Sequence, residues 1–78
     1  MLPSMIDRTA PEPLWKQLAT VIQARIDDGT YPPRTAIPSI RLISEEFELS
    51  DVTVKKALAD LKQRGVLIGT PGRGTFVR

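Results

Sequence analysis

The stretch LSDVTVKKALADL, residues 49–61, brings hydroxyl and cationic side chains together at the start of one candidate helix. Ser50 and Thr53 carry hydroxyl groups, which can cap a helix or donate hydrogen bonds to phosphate oxygens. Lys55 is long enough to reach a phosphate or the edge of a guanine base. These side chains indicate contact with a polyanion, although the carboxylate of Asp51 lies among them.

A helix must position these side chains, and the apolar residues of the same stretch predict one over residues 50–64. The apolar residues recur at helical spacing and define a buried stripe of Val54, Ala57, Leu58 and Leu61. Ser50 suits the N-cap of this helix, and Gly65 suits the position that ends it. The side chains predicted to point away from the core are Val52, Lys55, Lys56, Ala59 and Gln63.

Two further helices are predicted before it. Apolar residues at helical spacing predict a first helix over residues 13–28. After a proline-rich loop, Ser39 suits the N-cap of a short second helix over residues 39–47. The predicted buried face of this second helix consists of Leu42, Ile43 and Phe47. Residues 1–12 contain prolines and no periodicity, so we expect a flexible lead-in before a domain of residues 13–78.

The C-terminal residues change to the pattern of a β-hairpin. Residues 66–68 and 75–77 are β-prone, and the glycine-rich segment GTPGRG separates them. We expect Ile68 to pair across the hairpin with Phe76 or Val77. The order of elements is therefore helix, helix, tight turn, helix and hairpin. This order predicts an α+β fold, mainly α, of the winged helix-turn-helix type, with three helices and a C-terminal two-stranded wing.

This order of elements is typical of domains that bind double-stranded DNA. The second helix of a helix-turn-helix, here residues 50–64, enters the major groove. The hairpin loop, residues 69–75, would reach the minor groove, where negative potential favours an arginine such as Arg73. Two alternatives stay open. The first alternative is a plain helical bundle whose lysines only keep it soluble. The second is a winged-helix module for protein–protein interaction without direct DNA binding.

Composition narrows the classes of function. The 78 residues contain neither cysteine nor histidine, so we expect no enzyme activity, no cofactor and no metal site. The apolar runs are too short to cross a membrane and no signal peptide is evident, so we expect a cytoplasmic location. The net charge is only +2, and the basic excess lies in residues 29–78. The low charge and Asp51 favour the protein-interaction alternative, whereas Arg41, Lys55 and Arg73 favour DNA.

Six stretches carry a resemblance to a known family. They are PLWKQL (13–18), IDDGTYPP (26–33), IPSIRLIS (37–44), LSDVTVKKAL (49–58), LKQRGVL (61–67) and GRGTFV (72–77). In this order and spacing the chain resembles the N-terminal winged-helix domain of the GntR family of bacterial transcription regulators. The resemblance implies a transcription regulator, most often a repressor, bound as two copies to a pseudo-palindromic DNA operator. It places no small-molecule effector site within these residues.

The resemblance also implies roles for individual residues. Those matching DNA-contacting positions are Arg41, Ser50, Thr53 and Lys55, with Gly72, Arg73 and Gly74 at the tip of the wing. The exposed start of the recognition helix adds Asp51, Val52 and Lys56 to the candidate DNA-binding residues. Because the family is bacterial, the resemblance also implies a cytoplasmic location and association with the nucleoid through DNA.

Three positions depart from the family pattern. The family usually has an acidic residue at Ile40, glycine at Arg34, and an arginine that reads guanine at Asp51. One interpretation of Asp51 is that a carboxylate in the first turn stabilises the helix by roughly 0.3–1 kcal/mol. The other is a changed specificity, because a carboxylate accepts a hydrogen bond from cytosine N4 and repels the acceptors of guanine.

Overall fold

The computed structural model describes residues 6–78 and consists of three α-helices followed by an antiparallel hairpin. The elements are α1 (Leu14–Asp27), α2 (Ile40–Phe47), α3 (Asp51–Gln63), β1 (Leu67–Thr70) and β2 (Gly74–Val77). The predicted order and the α+β fold class are confirmed, and each helix begins and ends within about a residue of its predicted bounds.

Local signals in the sequence explain where the helices begin and end. The hydroxyl of Ser39 accepts a hydrogen bond from the backbone N–H of Leu42 at 3.2 Å, which caps α2. The hydroxyl of Ser50 accepts from the N–H of Thr53 at 3.2 Å and caps α3 in the same way. Gly65, at a φ of +79°, follows the C-terminal end of α3 and turns the chain into the hairpin.

The core lies where α1 and α2 pack against α3. Its fully buried large side chains are Leu18, Ile22, Ile43, Val54 and Leu61. The predicted stripe of α3 is confirmed, because all four of its members are buried. Leu42 was predicted to lie on the buried face of α2. This prediction is wrong, because Leu42 is 57% exposed. Ile43 and Phe47, four residues apart, already form the buried stripe, and Leu42 lies about 100° from Ile43 around the helix.

The hairpin is paired as predicted and is also bonded to a third segment. Ile68 faces Phe76 in the register of β1 and β2. Residues 34–37, predicted as loop, run along the other side of β2, where the N–H of Ile37 donates to the carbonyl oxygen of Thr75 at 2.9 Å. Because β2 is hydrogen-bonded on both sides, the wing is attached to the segment that leads into α2.

The described part of the lead-in is held by two side chains. The amide of buried Gln17 accepts from the N–H of Asp7 at 2.8 Å and donates to the carbonyl oxygen of Glu12 at 2.8 Å. The guanidinium of Arg8 donates to the carbonyl oxygen of Phe47 at 3.1 Å, at the end of α2. The sequence pattern did not indicate these bonds. The boundary at residue 12 stays a prediction, and residues 1–5 lie outside the described residues.

A charged cluster joins α1 to α2. The guanidinium of Arg25 lies 4.9 Å from the ring centroid of Phe47 and 5.7 Å from that of Tyr31, and it pairs with the carboxylate of Glu46. The hydrogen bond to Arg25 lowers the pKa of Glu46, and the same bond raises the pKa of Arg25. The pair therefore stays ionised at neutral pH and fixes α2 against α1.

Within residues 6–78, two non-glycine residues have left-handed backbone conformations, Arg34 at a φ of 64° and Glu48 at a φ of 54°. A side chain in this region costs roughly 1 kcal/mol relative to glycine, because Cβ approaches the following carbonyl oxygen. We expect Arg34→Gly to raise the free energy of unfolding by roughly 0.5 kcal/mol, after the greater freedom of glycine in the unfolded chain is deducted. Urea unfolding at neutral pH measures the change.

The matched control is Arg34→Ala, which removes the same charge but keeps Cβ. We expect this variant to be no more stable than the parent chain, because alanine retains the left-handed strain. Equal stabilisation by glycine and alanine would show that the side chain of Arg34, and not its backbone conformation, sets the stability at this position.

Candidate nucleic-acid interface

The outward side of α3 is open from its first turn onwards. Val52 is 75% exposed, whereas Val54, two residues later on the opposite side, is fully buried. The other residues predicted to point away from the core are also exposed, namely Lys55, Lys56, Ala59 and Gln63. The prediction of an outward face is therefore confirmed, and the first turn of α3 presents Asp51 and Val52 to solvent.

Hydroxyl groups organise the start of this helix. The hydroxyls of Ser50 and Thr53 lie 2.9 Å apart and hydrogen-bond to each other, while the Ser50 hydroxyl also accepts from the N–H of Thr53. Each hydroxyl has one donor and two acceptor lone pairs. The structure thus assigns capping to Ser50 and leaves both hydroxyls with capacity for an outside partner.

The tip of the wing is a tight turn around Arg73. The N–H of Arg73 donates to the carbonyl oxygen of Thr70 at 3.0 Å. Gly72 and Gly74 have φ values of +76° and +103°, which other residues rarely adopt, and an added Cβ at either would meet no atom within 4 Å. The glycines are thus required by the turn geometry, and the exposed Arg73 lies between them in the turn of the hairpin.

One cavity connects the wing to both helices of the helix-turn-helix. Its volume is about 270 Å³, and its lining includes Ser39 and Ile40 at the start of α2, Leu58 of α3, and Arg73 of the wing tip. The tip therefore adjoins the N-terminal end of α2, where Arg41 follows Ile40. Three separate elements therefore line this cavity, and its lining includes Arg73 and Gly74 of the candidate DNA-binding set.

The basic side chains of the set differ in their surroundings. Arg41, 85% exposed, lies 3.5 Å from the carboxylate of Glu45 one turn along α2. The ammonium of Lys56 lies 5.1 Å from the ring centroid of Trp15, so this side chain is directed towards α1. Within residues 6–78, Lys55 and Arg73 have no carboxylate within 4.0 Å. These two side chains are therefore the cations of the set that are available without breaking an ion pair or a contact with an aromatic ring.

Lys62 was not predicted to belong to the interface, yet it lies beside the wing. An open cleft of about 440 Å³ separates Lys62 from the wing tip. A Cβ added to Gly69 would lie 3.1 Å from the ammonium of Lys62, so the absent side chain of Gly69 makes room for this lysine. The sequence does contain a signal, because Lys62 follows Lys55 by seven residues and shares its side of α3.

Three carboxylates of α2 and α3 serve as partners of arginines. On α2 and α3, Glu45, Glu46 and Asp60 each lie within 4.0 Å of an arginine. No cluster of three acidic, histidine or cysteine side chains in residues 6–78 is arranged to hold a metal ion. Over the same residues, no helix combines the length and the apolar character needed to cross a membrane.

Comparisons with known proteins agree with this geometry. The family of bacterial regulatory proteins named gntR matches residues 14–77. The repressor NagR of Bacillus subtilis is 36% identical over 72 residues, which cover 92% of this chain and 30% of NagR. The histidine utilization repressor of Klebsiella aerogenes is 34% identical over 70 residues, covering 90% of this chain and 29% of the repressor. The chain therefore spans about a third or less of the length of these relatives.

Two solved structures share the fold. The DNA-binding domain of AraR in complex with an operator superimposes with a TM-score of 0.83 at 33% identity, covering 86% of this chain and 81% of the AraR chain. YtrA from Sulfolobus acidocaldarius, a GntR-family transcription factor, superimposes with a TM-score of 0.85 at 30% identity. The match covers 94% of this chain and 77% of the YtrA chain. These matches confirm the winged-helix fold and the family of regulatory proteins that the sequence predicts. The chain belongs to the GntR family of bacterial regulatory proteins.

Proposed function

We propose that this chain binds double-stranded DNA with sequence specificity and represses transcription by occupying an operator in the bacterial cytoplasm. The AraR domain of the same fold is seen on operator DNA, and two relatives at about 35% identity are named repressors. The observation that carries the proposal is that Arg73 of the wing tip lines the same cavity as the start of α2 and Leu58 of α3. This arrangement is the one expected of a surface that contacts two neighbouring grooves.

In the proposed complex the first turn of α3 enters the major groove and the wing lies in the adjacent minor groove. The major groove is roughly 12 Å wide and accepts an α-helix with its side chains. Ser50, Thr53 and Lys55 would donate to phosphates or base edges, and Arg73 would reach the minor groove between Gly72 and Gly74. Lys56 joins this set only if it leaves the ring of Trp15.

We further propose that two copies occupy a pseudo-palindromic operator. The longest dimension of the domain is 34 Å, which does not exceed the roughly 34–36 Å between half-sites one helical turn apart. Two copies can therefore lie in successive major grooves on one side of the duplex. We propose no small-molecule effector site within residues 6–78.

Salt dependence of binding tests DNA contact directly. The chain is titrated into a fluorescent duplex of random sequence at several salt concentrations, and anisotropy gives the binding constant. We expect the logarithm of this constant to fall with the logarithm of salt at a slope of about −0.9 for each neutralised phosphate. A slope near zero would overturn the proposal and favour the protein-interaction alternative.

The ion pair between Arg41 and Glu45 gives a separate prediction. Glu45→Gln removes the carboxylate that competes with phosphate for Arg41, and it removes a negative charge from the proposed DNA surface. Because exposed ion pairs contribute roughly 0.2–1 kcal/mol, we expect DNA affinity to rise by up to about fivefold. Anisotropy with the same duplex at low salt measures the change.

Asp27→Asn is the matched control, because it removes the same charge at the C-terminal end of α1, where Asp27 accepts from the amide of Gln23. We expect a smaller effect from this variant. Equal gains from the two variants would mean that net charge, and not release of Arg41, controls the affinity.

A further inference from the structure

We propose that Asp51 and Val52 act together as the specificity-determining pair, reading a cytosine at one base pair and a thymine at a neighbouring base pair. This inference rests on the proposed DNA binding and names the bases that the first turn of α3 selects. The family usually has an arginine at position 51 that donates to guanine. In this chain the carboxylate of Asp51 would instead accept a hydrogen bond from cytosine.

Asp51 differs from the other carboxylates of α2 and α3. Each of Glu45, Glu46 and Asp60 pairs with an arginine within the domain. In residues 6–78 Asp51 has no cation within 4.0 Å, and no side-chain hydrogen bond is formed by its carboxylate. The N-terminal end of α3 is capped by the hydroxyl of Ser50, so the capping position does not require Asp51. Its acceptor capacity is therefore directed to solvent.

Val52 is the most exposed of the large apolar side chains in the described residues, at 75%. It points directly away from the core, because the buried residues Val54 and Leu58 lie on the other side of α3. Its two methyl groups contribute nothing to the core and face whatever the helix contacts. An acceptor and an apolar group thus occupy adjacent positions in the turn that approaches base edges in a helix-turn-helix.

The polarity of each side chain selects a base. In the major groove guanine presents two acceptors and thymine one, and both repel a carboxylate. Adenine offers an amino donor, but its N7 acceptor lies next to that donor, whereas the N4 amino group of cytosine has no neighbouring acceptor on the same base. A carboxylate at Asp51 therefore favours cytosine, and the methyl groups of Val52 favour the 5-methyl group of thymine.

Attraction to the duplex must come from other residues, because Asp51 repels phosphates. Lys55 lies one turn further along α3 on the side of Asp51, and it has no carboxylate within 4.0 Å in residues 6–78. Lys55 and Arg73 can therefore bind phosphates while Asp51 tests the base. A contact that is favourable at cytosine and repulsive at guanine, thymine and phosphate lowers binding to unrelated DNA more than binding to the operator.

Selection of duplexes from a random library by the chain, by Asp51→Asn and by Val52→Ala tests the pair. We expect the parent chain to select sites with a fixed cytosine next to a fixed thymine. Asp51→Asn should replace the cytosine preference with adenine, because an amide pairs with adenine N6 and N7. In direct titration, exchanging the cytosine should weaken parent binding by roughly 5- to 100-fold and should not weaken Asp51→Asn in the same way.

Removing one methyl group from the DNA tests the proposed contact of Val52 with thymine. Uracil in place of the selected thymine removes only the 5-methyl group, and we expect roughly a threefold loss for the parent chain. Val52→Ala should bind both duplexes with nearly equal affinity. Thermal unfolding of both variants checks that the domain remains folded.

The outcomes separate this inference from the proposed function. If parent chain and Asp51→Asn select the same sequence, Asp51 serves only the helix N-terminus and the inference is overturned, while DNA binding stands. Selection of an A·T or T·A pair at the position whose identity depends on residue 51 has the same consequence, because such a pair contains no cytosine. If no variant enriches any sequence and binding does not depend on salt, the proposed function itself fails.

Discussion

Replacing Arg41, Lys55 and Arg73 together by alanine is expected to lower DNA affinity by at least about a hundredfold without unfolding the domain. The three side chains come from α2, α3 and the wing, and all are exposed, so their loss removes no core contact. A hydrogen bond to a charged group contributes roughly 1.5–3 kcal/mol, and three such contacts exceed a factor of one hundred. We therefore expect the triple variant to lose most of its DNA affinity while its free energy of unfolding changes little.

The salt dependence gives a sharper measurement than affinity alone. Each single substitution that removes a phosphate contact should reduce the slope of the logarithm of the binding constant against the logarithm of salt by about 0.9. The triple variant should reduce it by about 2.7 if all three residues contact phosphates. Anisotropy between about 50 and 200 mM salt covers the range in which such a difference is measurable.

Lys16→Ala is the matched control for charge. Lys16 is exposed on α1 and lines the groove with Trp15 and Asp60, away from the wing. Its removal lowers the net charge by the same amount as each of the three substitutions. Unchanged affinity in all three single variants would exclude the proposed surface, and an equal loss in Lys16→Ala would reduce the effect to general electrostatics.

The fold could be predicted from the sequence because its signals are local. Ser39, Ser50 and Gly65 mark helix ends through backbone hydrogen bonds that involve neighbours within a few residues. The pairing of residues 34–37 with β2 could not be predicted, since a short segment between prolines has no alternating pattern. The bonds of Gln17 to Asp7 and Glu12 link residues up to ten positions apart and have no periodic signature.

Local signals in the sequence also predicted part of the candidate interface, namely the outward face of α3. Helical periodicity identifies which side chains of α3 face outward, so Val52 and Lys55 were found from spacing alone. Periodicity does not determine the rotamers of long side chains. The contact of Lys56 with Trp15 and the position of Lys62 beside Gly69 depend on tertiary packing. The roles of all these residues towards DNA stay predictions.

The two faces of α3 give the second large effect, through a pair of valines. Val54 is fully buried, so Val54→Ala removes two methyl groups from the core and leaves a cavity. We expect the free energy of unfolding to fall by roughly 2–3 kcal/mol, from the transfer of these groups and the unfilled volume. For a domain of this size that loss lowers Tm by roughly 10–20 °C, which differential scanning calorimetry measures directly.

Val52→Ala makes the same chemical change at a position that is 75% exposed, and we expect it to keep or slightly raise stability because alanine favours helix. The two substitutions should therefore have opposite effects, one on stability and the other on base preference. Val54→Ala, measured well below its Tm, should keep the base preference of the parent chain, whereas Val52→Ala should keep the stability and lose discrimination between thymine and uracil. A fall in Tm with Val52→Ala comparable to that of Val54→Ala would mean that Val52 packs within the domain, and its proposed contact with thymine would have to be abandoned.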